Sequence, residues 1–214
     1  MNYGLVVRGV VSVSLALAIA FPASAGMLAG NEDAMPGWTG STDFDFDGLP
    51  KEDTNLEGYV DFAVFGPENV PSFGDYEPTE GELVYAYQVF AEGTDDVSAF
   101  VLTLNGVADN IGSSSDSGLV SPSAAAFIPT GEPGGSAQWD FNSPGISPGQ
   151  SSYLLLFSSP QLPENFAGLT IDGGTNAMVI PVPTPGSKSI PEPSTLTMMV
   201  CGLIAAGCIG RRNR

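Results

Sequence analysis

Short stretches in which every second residue is apolar recur through the middle of the chain. Five are clear and two weaker ones follow, and in order they are Gly58 to Phe65, Leu83 to Phe90, Val97 to Leu104, Ser136 to Phe141, Ser151 to Phe157, Ala167 to Ile171 and Ala177 to Ile180. A period of two places alternate side chains on opposite faces of a β-strand, so one face is buried while the other meets water. Because no window in this part of the chain combines a helical period with helix caps, the pattern predicts an all-β fold. Seven such strands are typical of an antiparallel β-sandwich, immunoglobulin-like or jelly-roll-like.

Glycine and proline mark the connections between these strands. The short polar segment Ala91 to Asp96 contains a glycine and predicts an antiparallel hairpin between the two strands that flank it. The Ser-, Gly- and Ala-rich stretch from Asn105 to Gly135 has little periodicity and predicts a long loop. Closely spaced prolines from Pro181 onward predict a stiff linker. The predicted organisation is an acidic N-terminal segment (26–57), a β-sandwich domain (58–180) and a Pro-rich linker (181–190).

The N-terminus has the order of a secretory signal peptide. Arg8 precedes an apolar run from Gly9 to Phe21, and Ala23-Ser24-Ala25 follows this run. A basic region, an apolar core and an A-x-A site are what signal peptidase recognises, and they predict that residues 1–25 form a signal helix removed after Ala25. An uncleaved N-terminal membrane helix is the alternative. The signal predicts export.

The segment between the two ends is strongly acidic and free of cysteine. Of the 24 acidic residues only Glu192 lies outside Gly26 to Ile190, and of the six basic residues only Lys51 and Lys188 lie inside it, so its formal charge is near −21. Nucleic-acid affinity depends on Lys and Arg that release counterions from phosphates, so the charge argues against a nucleic-acid partner. Without cysteine the domain must be stabilised by an apolar core.

The C-terminus combines a short motif with an apolar segment and a basic end. Pro191-Glu192-Pro193 precedes the apolar run Leu196 to Gly210, and the chain ends with the basic residues Arg211, Arg212 and Arg214. About 15 residues at 1.5 Å rise give about 22 Å, less than the hydrocarbon core of about 30 Å. Adding Ser194 and Thr195 reaches only the lower limit for a transmembrane helix. The arginines act as stop-transfer charges and should stay in the cytoplasm, which leaves the acidic domain outside.

This combination resembles the PEP-CTERM sorting signal, in which a Pro-Glu-Pro motif, a membrane helix and a basic terminus are read by exosortase. The resemblance implies that residues 191–214 anchor the protein in the membrane through helix 196–210 before sorting. Exosortase would then cut near the motif and transfer the domain to a surface acceptor, in bacteria that make exopolysaccharide. An ordinary single-span tail anchor is the alternative interpretation. The acidic domain is also similar to β-sandwiches that often carry this tail, a similarity that names no reaction.

The sequence offers little catalytic chemistry. The chain has no histidine, which removes the commonest general base and the commonest metal ligand. The run Asp43-Phe44-Asp45-Phe46-Asp47-Gly48 matches the opening of a calcium loop, but its twelfth position is Thr54 rather than Glu. A weak calcium site at Asp43, Asp45 and Asp47 therefore stands beside a simpler interpretation, a strand or turn edge with both phenylalanines inward. No other cofactor is expected.

Three functions remain open, and an exported structural or adhesive protein of the cell surface or exopolysaccharide matrix is preferred. The first alternative is a carbohydrate-binding module, because exposed aromatic rings stack on sugar faces. The candidate rings are Trp38, Tyr76, Tyr85 and Tyr87, although core packing is the preferred interpretation for most of the tyrosines and for Trp139. The second alternative is a glycoside hydrolase built on paired carboxylates, whose separation a sequence does not reveal. Because the preferred structural or adhesive function needs no catalysis, we expect a protein that is not an enzyme.

Overall fold

The computed structural model describes residues 28–47, 55–115, 120–131, 134–172 and 176–190. These residues form strands, turns and bends with no helix, so none of them belongs to a helix that could cross a membrane. The strands are β1 Ala34–Asp47, β2 Asn55–Phe65, β3 Leu83–Ala91, β4 Ala99–Leu104, β5 Asp109–Ser114, β6 Ala124–Gly131, β7 Gly134–Asp140, β8 Leu154–Ser159, β9 Gln161–Asp172 and β10 Asn176–Ser189. The signal peptide and the sorting tail lie outside the described residues.

The strands form two five-stranded antiparallel sheets. The first sheet has the order β1-β2-β3-β8-β5, and the second has the order β10-β9-β4-β7-β6. All strand pairings are antiparallel. Each sheet contributes residues to one buried cluster, an arrangement consistent with a β-sandwich. The prediction of an all-β fold from alternating residues is therefore confirmed.

Aromatic rings from both sheets meet in the centre of this cluster. Tyr87 and Phe157 of the first sheet lie near Phe100 and Trp139 of the second, with ring centroids 5.7 Å apart for Tyr87 and Phe100 and 6.3 Å for Trp139 and Phe157. All four residues are completely buried. Because offset and tilted ring pairs add to the stabilisation from burial, this ring cluster holds the two sheets together.

A second, smaller apolar cluster covers part of the outer face of the first sheet. Val84, Ala86 and Leu156 point outward from their strands, yet they are buried. They pack with Leu28 and with residues of the long connection between β2 and β3, including Phe73. This connection therefore covers the part of the outer face that these residues form.

Three predictions about the connections were wrong. β3 and β4 do not form a hairpin, because they lie in different sheets and Ala91 to Asp96 passes between the sheets. The stretch predicted as one long loop, Asn105 to Gly135, contains β5 and β6. Pro181 to Ser189 is the second half of β10 rather than a linker, because its residues pair with β9. With β1 also paired, the sheets extend beyond the predicted range 58–180.

The two ends of the sheets are distinguished by the strands that finish at each of them. β3 and β9 finish at one end, beside the starts of β2, β4 and β10, and we call this the distal end. The opposite end, where β10 finishes at Ser189, is called the tail end. Ile190 is fixed there, because its N–H donates to the carbonyl of Pro160 at 2.8 Å.

Candidate functional site

A cleft of about 360 Å³ opens at the distal end. The connection between β3 and β4 forms one wall, and the connection between β7 and β8 forms the other. The lining residues are Thr94, Asp95, Asp96, Ser98, Phe141, Ser143 and Pro144. The cleft thus offers two carboxylates and two hydroxyls on one wall, and a hydroxyl, an aromatic ring and a proline ring on the other.

Backbone hydrogen bonds hold the acidic wall against the start of β2. The N–H groups of Thr94 and Asp95 donate to the carbonyl of Asn55, at 2.9 Å and 3.2 Å. Gly93 makes this approach possible, because a Cβ atom at this position would lie 2.2 Å from the same carbonyl oxygen. The glycine is therefore needed for the path that brings Asp95 and Asp96 to the cleft.

The opposite wall is tied to the acidic wall directly. Val97 and Ile146 exchange two backbone hydrogen bonds, each 3.0 Å long, and the N–H of Phe141 donates to the carbonyl of Ser98 at 2.8 Å. Gly145 lies so close to Val97 that an added Cβ would be 2.7 Å from the Val97 carbonyl oxygen. These bonds fix the two walls relative to each other, so the cleft is a preformed site.

Two oxygen atoms near the cleft are buried without a donor. Neither Oδ2 of Asp95 nor Oδ1 of Asn55 accepts a hydrogen bond from the described residues. A buried acceptor without a partner is costly, so the acidic wall carries a local energetic penalty. The carboxylates of Asp95 and Asp96, which line the cleft, make this wall suited to a ligand rich in hydrogen-bond donors.

The aspartates predicted as a calcium site lie on a different surface. Asp43 and Asp45 are exposed in the extended edge strand β1, where they pair with Tyr59 and Glu57. Phe44 between them is buried. The run therefore has the conformation of a strand, not of a loop that wraps around an ion. Among the described residues no group of three or more acidic, histidine or cysteine side chains could hold a metal ion. Calcium binding stays a prediction.

The aromatic residues predicted as a sugar platform do not form one. Tyr85 and Tyr87 are completely buried, and their hydroxyls donate to the carbonyls of Gln161 and Pro183. Trp38 is half-buried and packs against the main core, while Tyr76 packs against the smaller cluster. The prediction is wrong for Tyr85 and Tyr87, because both point inward from β3.

A different aromatic pair lies on the first sheet, on the face away from the main core. Tyr59 and Phe90 are cross-strand neighbours on its outer face, and their rings stack with centroids 4.4 Å apart. Burial raises the pKa of Tyr59, and the carboxylates of Asp61 and Glu92 raise it further. Each ring covers one face of the other, so only the remaining faces are left for a ligand.

Sequence reasoning missed the cleft residues Asp95 and Asp96, which it interpreted as part of a hairpin turn. The sequence pattern there is an acidic pair close to a glycine, between two strands that the alternation predicts clearly. Only the passage of the chain from one sheet to the other brings this pair close to Phe141. Comparisons of the chain with family models, curated proteins and solved structures gave no match. Functional inference therefore depends on the geometry of the distal end and on the motif in the tail.

Proposed function

We propose that this is an exported protein of the cell surface or exopolysaccharide matrix, with a structural or adhesive domain that exosortase sorts through Pro191, Glu192 and Pro193. Signal peptidase removes residues 1–25, and the helix at 196–210 anchors the chain in the membrane until sorting. The observation that supports this proposal is the end-to-end polarity of the domain, by which we mean that its cleft and its C-terminal exit lie at opposite ends. The cleft lies at the distal end, whereas the chain leaves toward the tail at the other end.

This polarity follows from the strand directions. β3 runs from Leu83, next to Ser159 at the tail end, to Ala91 at the distal end. Nine residues at about 3.3 Å each span close to 30 Å. A domain attached through Ile190 would hold the cleft about this distance from its attachment point. Loops presented away from an anchor are suited to contact with other molecules of a matrix.

Within this proposal the fold is an immunoglobulin-like or jelly-roll-like sandwich. Successive strands cross between the sheets, from β3 to β4, from β4 to β5 and from β5 to β6. Crossings of this kind produce the Greek-key connections of such sandwiches, and they gather loops at the two ends of the domain. The arrangement leaves the end loops free to vary in sequence while the ring cluster between the sheets is kept.

The lining of the cleft favours carbohydrate as the ligand. Sugar hydroxyls donate to carboxylates and exchange hydrogen bonds with Ser and Thr, and sugar C–H faces pack on rings. Both carboxylates of the cleft lie on one wall, and Phe141, Ser143 and Pro144 opposite them carry none. Glycoside hydrolysis needs carboxyl groups on both sides of the scissile bond. The arrangement therefore suits binding of a sugar better than its hydrolysis.

A matched pair of variants tests the cleft. Asp96→Ala should weaken binding on a glycan array about 10-fold to 100-fold, because a hydrogen bond to a charged group contributes about 1.5–3 kcal/mol. Asp75→Ala removes the same charge from an exposed position in the connection between β2 and β3, and it should leave binding unchanged. Equal losses in both variants, or no glycan bound by the parent, would reject carbohydrate binding, and released sugar products would favour the hydrolase.

The sorting step is tested by mass. The mature surface protein should lack both Met1 to Ala25 and Arg211 to Arg214, while a Glu192→Ala variant should stay in the membrane with its C-terminus intact. Glu77→Ala, a substitution of the same kind at an exposed position of the domain, should be sorted like the parent. A surface protein that keeps its terminal arginines would contradict exosortase processing.

A further inference from the structure

The four edge strands of the two sheets differ in how they are protected against pairing with another chain. β1 carries exposed aspartates, and β10 has proline at positions 181, 183 and 185. β5 is short, with a register shift beside Asp109. Charge, proline and irregularity are the usual means of blocking an edge. β6 has only Pro129, so its first five residues form an unblocked edge.

β6 is also uncharged and exposed in an otherwise acidic domain. No residue from Ser117 to Gly131 carries a charge. Ala124, Ala125 and Ala126 are exposed, and 44% of the Ile128 surface is accessible. Two copies of a domain near −21 repel each other over most of their surfaces. An uncharged edge is where a second copy can approach at the smallest electrostatic cost.

The hydrogen bonds of β7 show which backbone groups of β6 point away from the sheet and have no partner among the described residues, and we call these groups free. The N–H of Phe141 donates to Ser98 beside β4, so the odd-numbered residues of β7 direct their backbone groups to β4 and the even-numbered ones to β6. The paired residues Ala124, Ala126 and Ile128 therefore bond to β7. Ala125 and Phe127 direct their N–H and C=O groups away from the sheet. Pro129 is also odd-numbered, so its nitrogen, which carries no hydrogen, faces away from β7, as expected for a proline in an edge strand.

We propose that β6 pairs antiparallel with β6 of a second copy, around a two-fold axis at Ala126. In this register Ala125 lies opposite Phe127 of the other copy, so each free N–H meets a free carbonyl and four hydrogen bonds form. Ile128 then lies opposite Ala124, which joins a large side chain to a small one. The two second sheets become one ten-stranded sheet.

A second copy explains the edge better than an unrelated peptide does. Antiparallel pairing of identical strands is isologous, so one sequence satisfies both partners and the assembly closes as a dimer. Centring the axis on Ala125 would require the N–H of Ser123, which already donates to Asp140 at 2.7 Å. Centring it on Phe127 would place Ala125 opposite Pro129, which has no N–H. Only the axis at Ala126 gives a donor to the outward carbonyls of both Ala125 and Phe127.

Single cysteines test this register, because the domain has none of its own. In the full-length chain carrying Cys201→Ser and Cys208→Ser, Ala126→Cys should form a disulfide-linked dimer in membranes, at twice the mass of the monomer in the same sample. Directly opposed residues of such a pair lie about 4.5 Å apart, within disulfide range. Ile128→Cys should cross-link at least ten times less, because its two copies would lie about 14 Å apart at 3.4 Å per residue. Val179→Cys, which is 62% exposed on β10, is the control for random collisions.

A second variant tests the backbone pairing itself. Ala125→Pro removes an outward N–H without touching the bonds to β7, so combined with Ala126→Cys it should abolish the cross-link while the melting temperature stays near that of the parent. Equal cross-linking at positions 126, 128 and 179, or none at 126, would overturn the proposal. A cross-link at 179 alone would mean that copies meet elsewhere and would reject β6, and so would a cross-link at 126 that survives Ala125→Pro.

Discussion

Replacing Trp139 by alanine is expected to lower the free energy of unfolding by about 3–5 kcal/mol. The side chain is completely buried, and its ring lies 6.0 Å from Phe100 within its own sheet and 6.3 Å from Phe157 across the core. Its indole N–H donates to the carbonyl of Gly112 at 2.8 Å, so truncation opens a cavity and also leaves this carbonyl without its donor. Since a typical domain is stable by about 5–15 kcal/mol, a large share of the total stability should be lost.

The neighbouring residue supplies the control. Asp140 points to the opposite face of β7, where its carboxylate accepts a hydrogen bond from the Gln138 amide at 2.6 Å. Asp140→Ala should therefore change stability by about 1 kcal/mol or less. Denaturant titrations followed by far-ultraviolet circular dichroism would compare the two variants. A Trp139→Ala protein as stable as the parent would contradict the assignment of this ring to the core.

The burial of Trp139 could be predicted from the sequence because a strand with one buried face imposes its period on the side chains. Ala137, Trp139 and Phe141 alternate with polar Gln138 and Asp140, and the structure buries the first three. The same argument correctly located strands at all seven predicted positions. Core strands are visible in a sequence because burial selects apolar residues at every second position.

The missing strands lie at the edges, where this selection is weak. β5 and β6 contain mainly small or polar residues, so the stretch around them had no period and was interpreted as a loop. β10 was mistaken for a linker after Pro181, because only an edge strand accepts alternating prolines. The hairpin between β3 and β4 was wrong for a different reason. A turn signal marks where the chain reverses, but it does not specify which sheet the next strand joins.

The candidate cleft was beyond prediction for this last reason. Asp95 and Asp96 lie more than forty residues before Phe141 and Ser143 in the sequence, and they meet only because the first two belong to a crossing between sheets. Asp43 and Asp45 match the opening of a calcium-loop motif, although their extended conformation follows from the burial of Phe44. Side-chain alternation is a local property, whereas the composition of a cleft depends on topology.

Alkaline unfolding is the second large effect that the structure predicts. Burial raises the pKa of Tyr85 and Tyr87 far above the ordinary value of 10.0, with smaller contributions from Glu164 and from the neighbouring tyrosine. The fold thus accepts only the neutral phenols, while the unfolded chain ionises near pH 10. Their contribution to stability is complete below pH 10 and declines as the pH rises toward the folded pKa. Together these two groups should lower the unfolding free energy by about 2.7 kcal/mol per pH unit above 10. Burial also raises the pKa of Tyr76, which adds to the decline.

The Tyr87→Phe variant separates ionisation from packing. At neutral pH it should cost about 1–3 kcal/mol, because the carbonyl of Pro183 loses its buried donor. Above pH 10 its stability should fall less steeply than that of the parent, by about 1.4 kcal/mol per pH unit, since one buried phenol is gone. Tyrosinate absorbance and circular dichroism recorded together would follow ionisation and unfolding in the same sample, and both signals should change at one midpoint. Ionisation of Tyr85 and Tyr87 near pH 10 with the strands intact would contradict their burial, and with it the position of β3 at the centre of the first sheet.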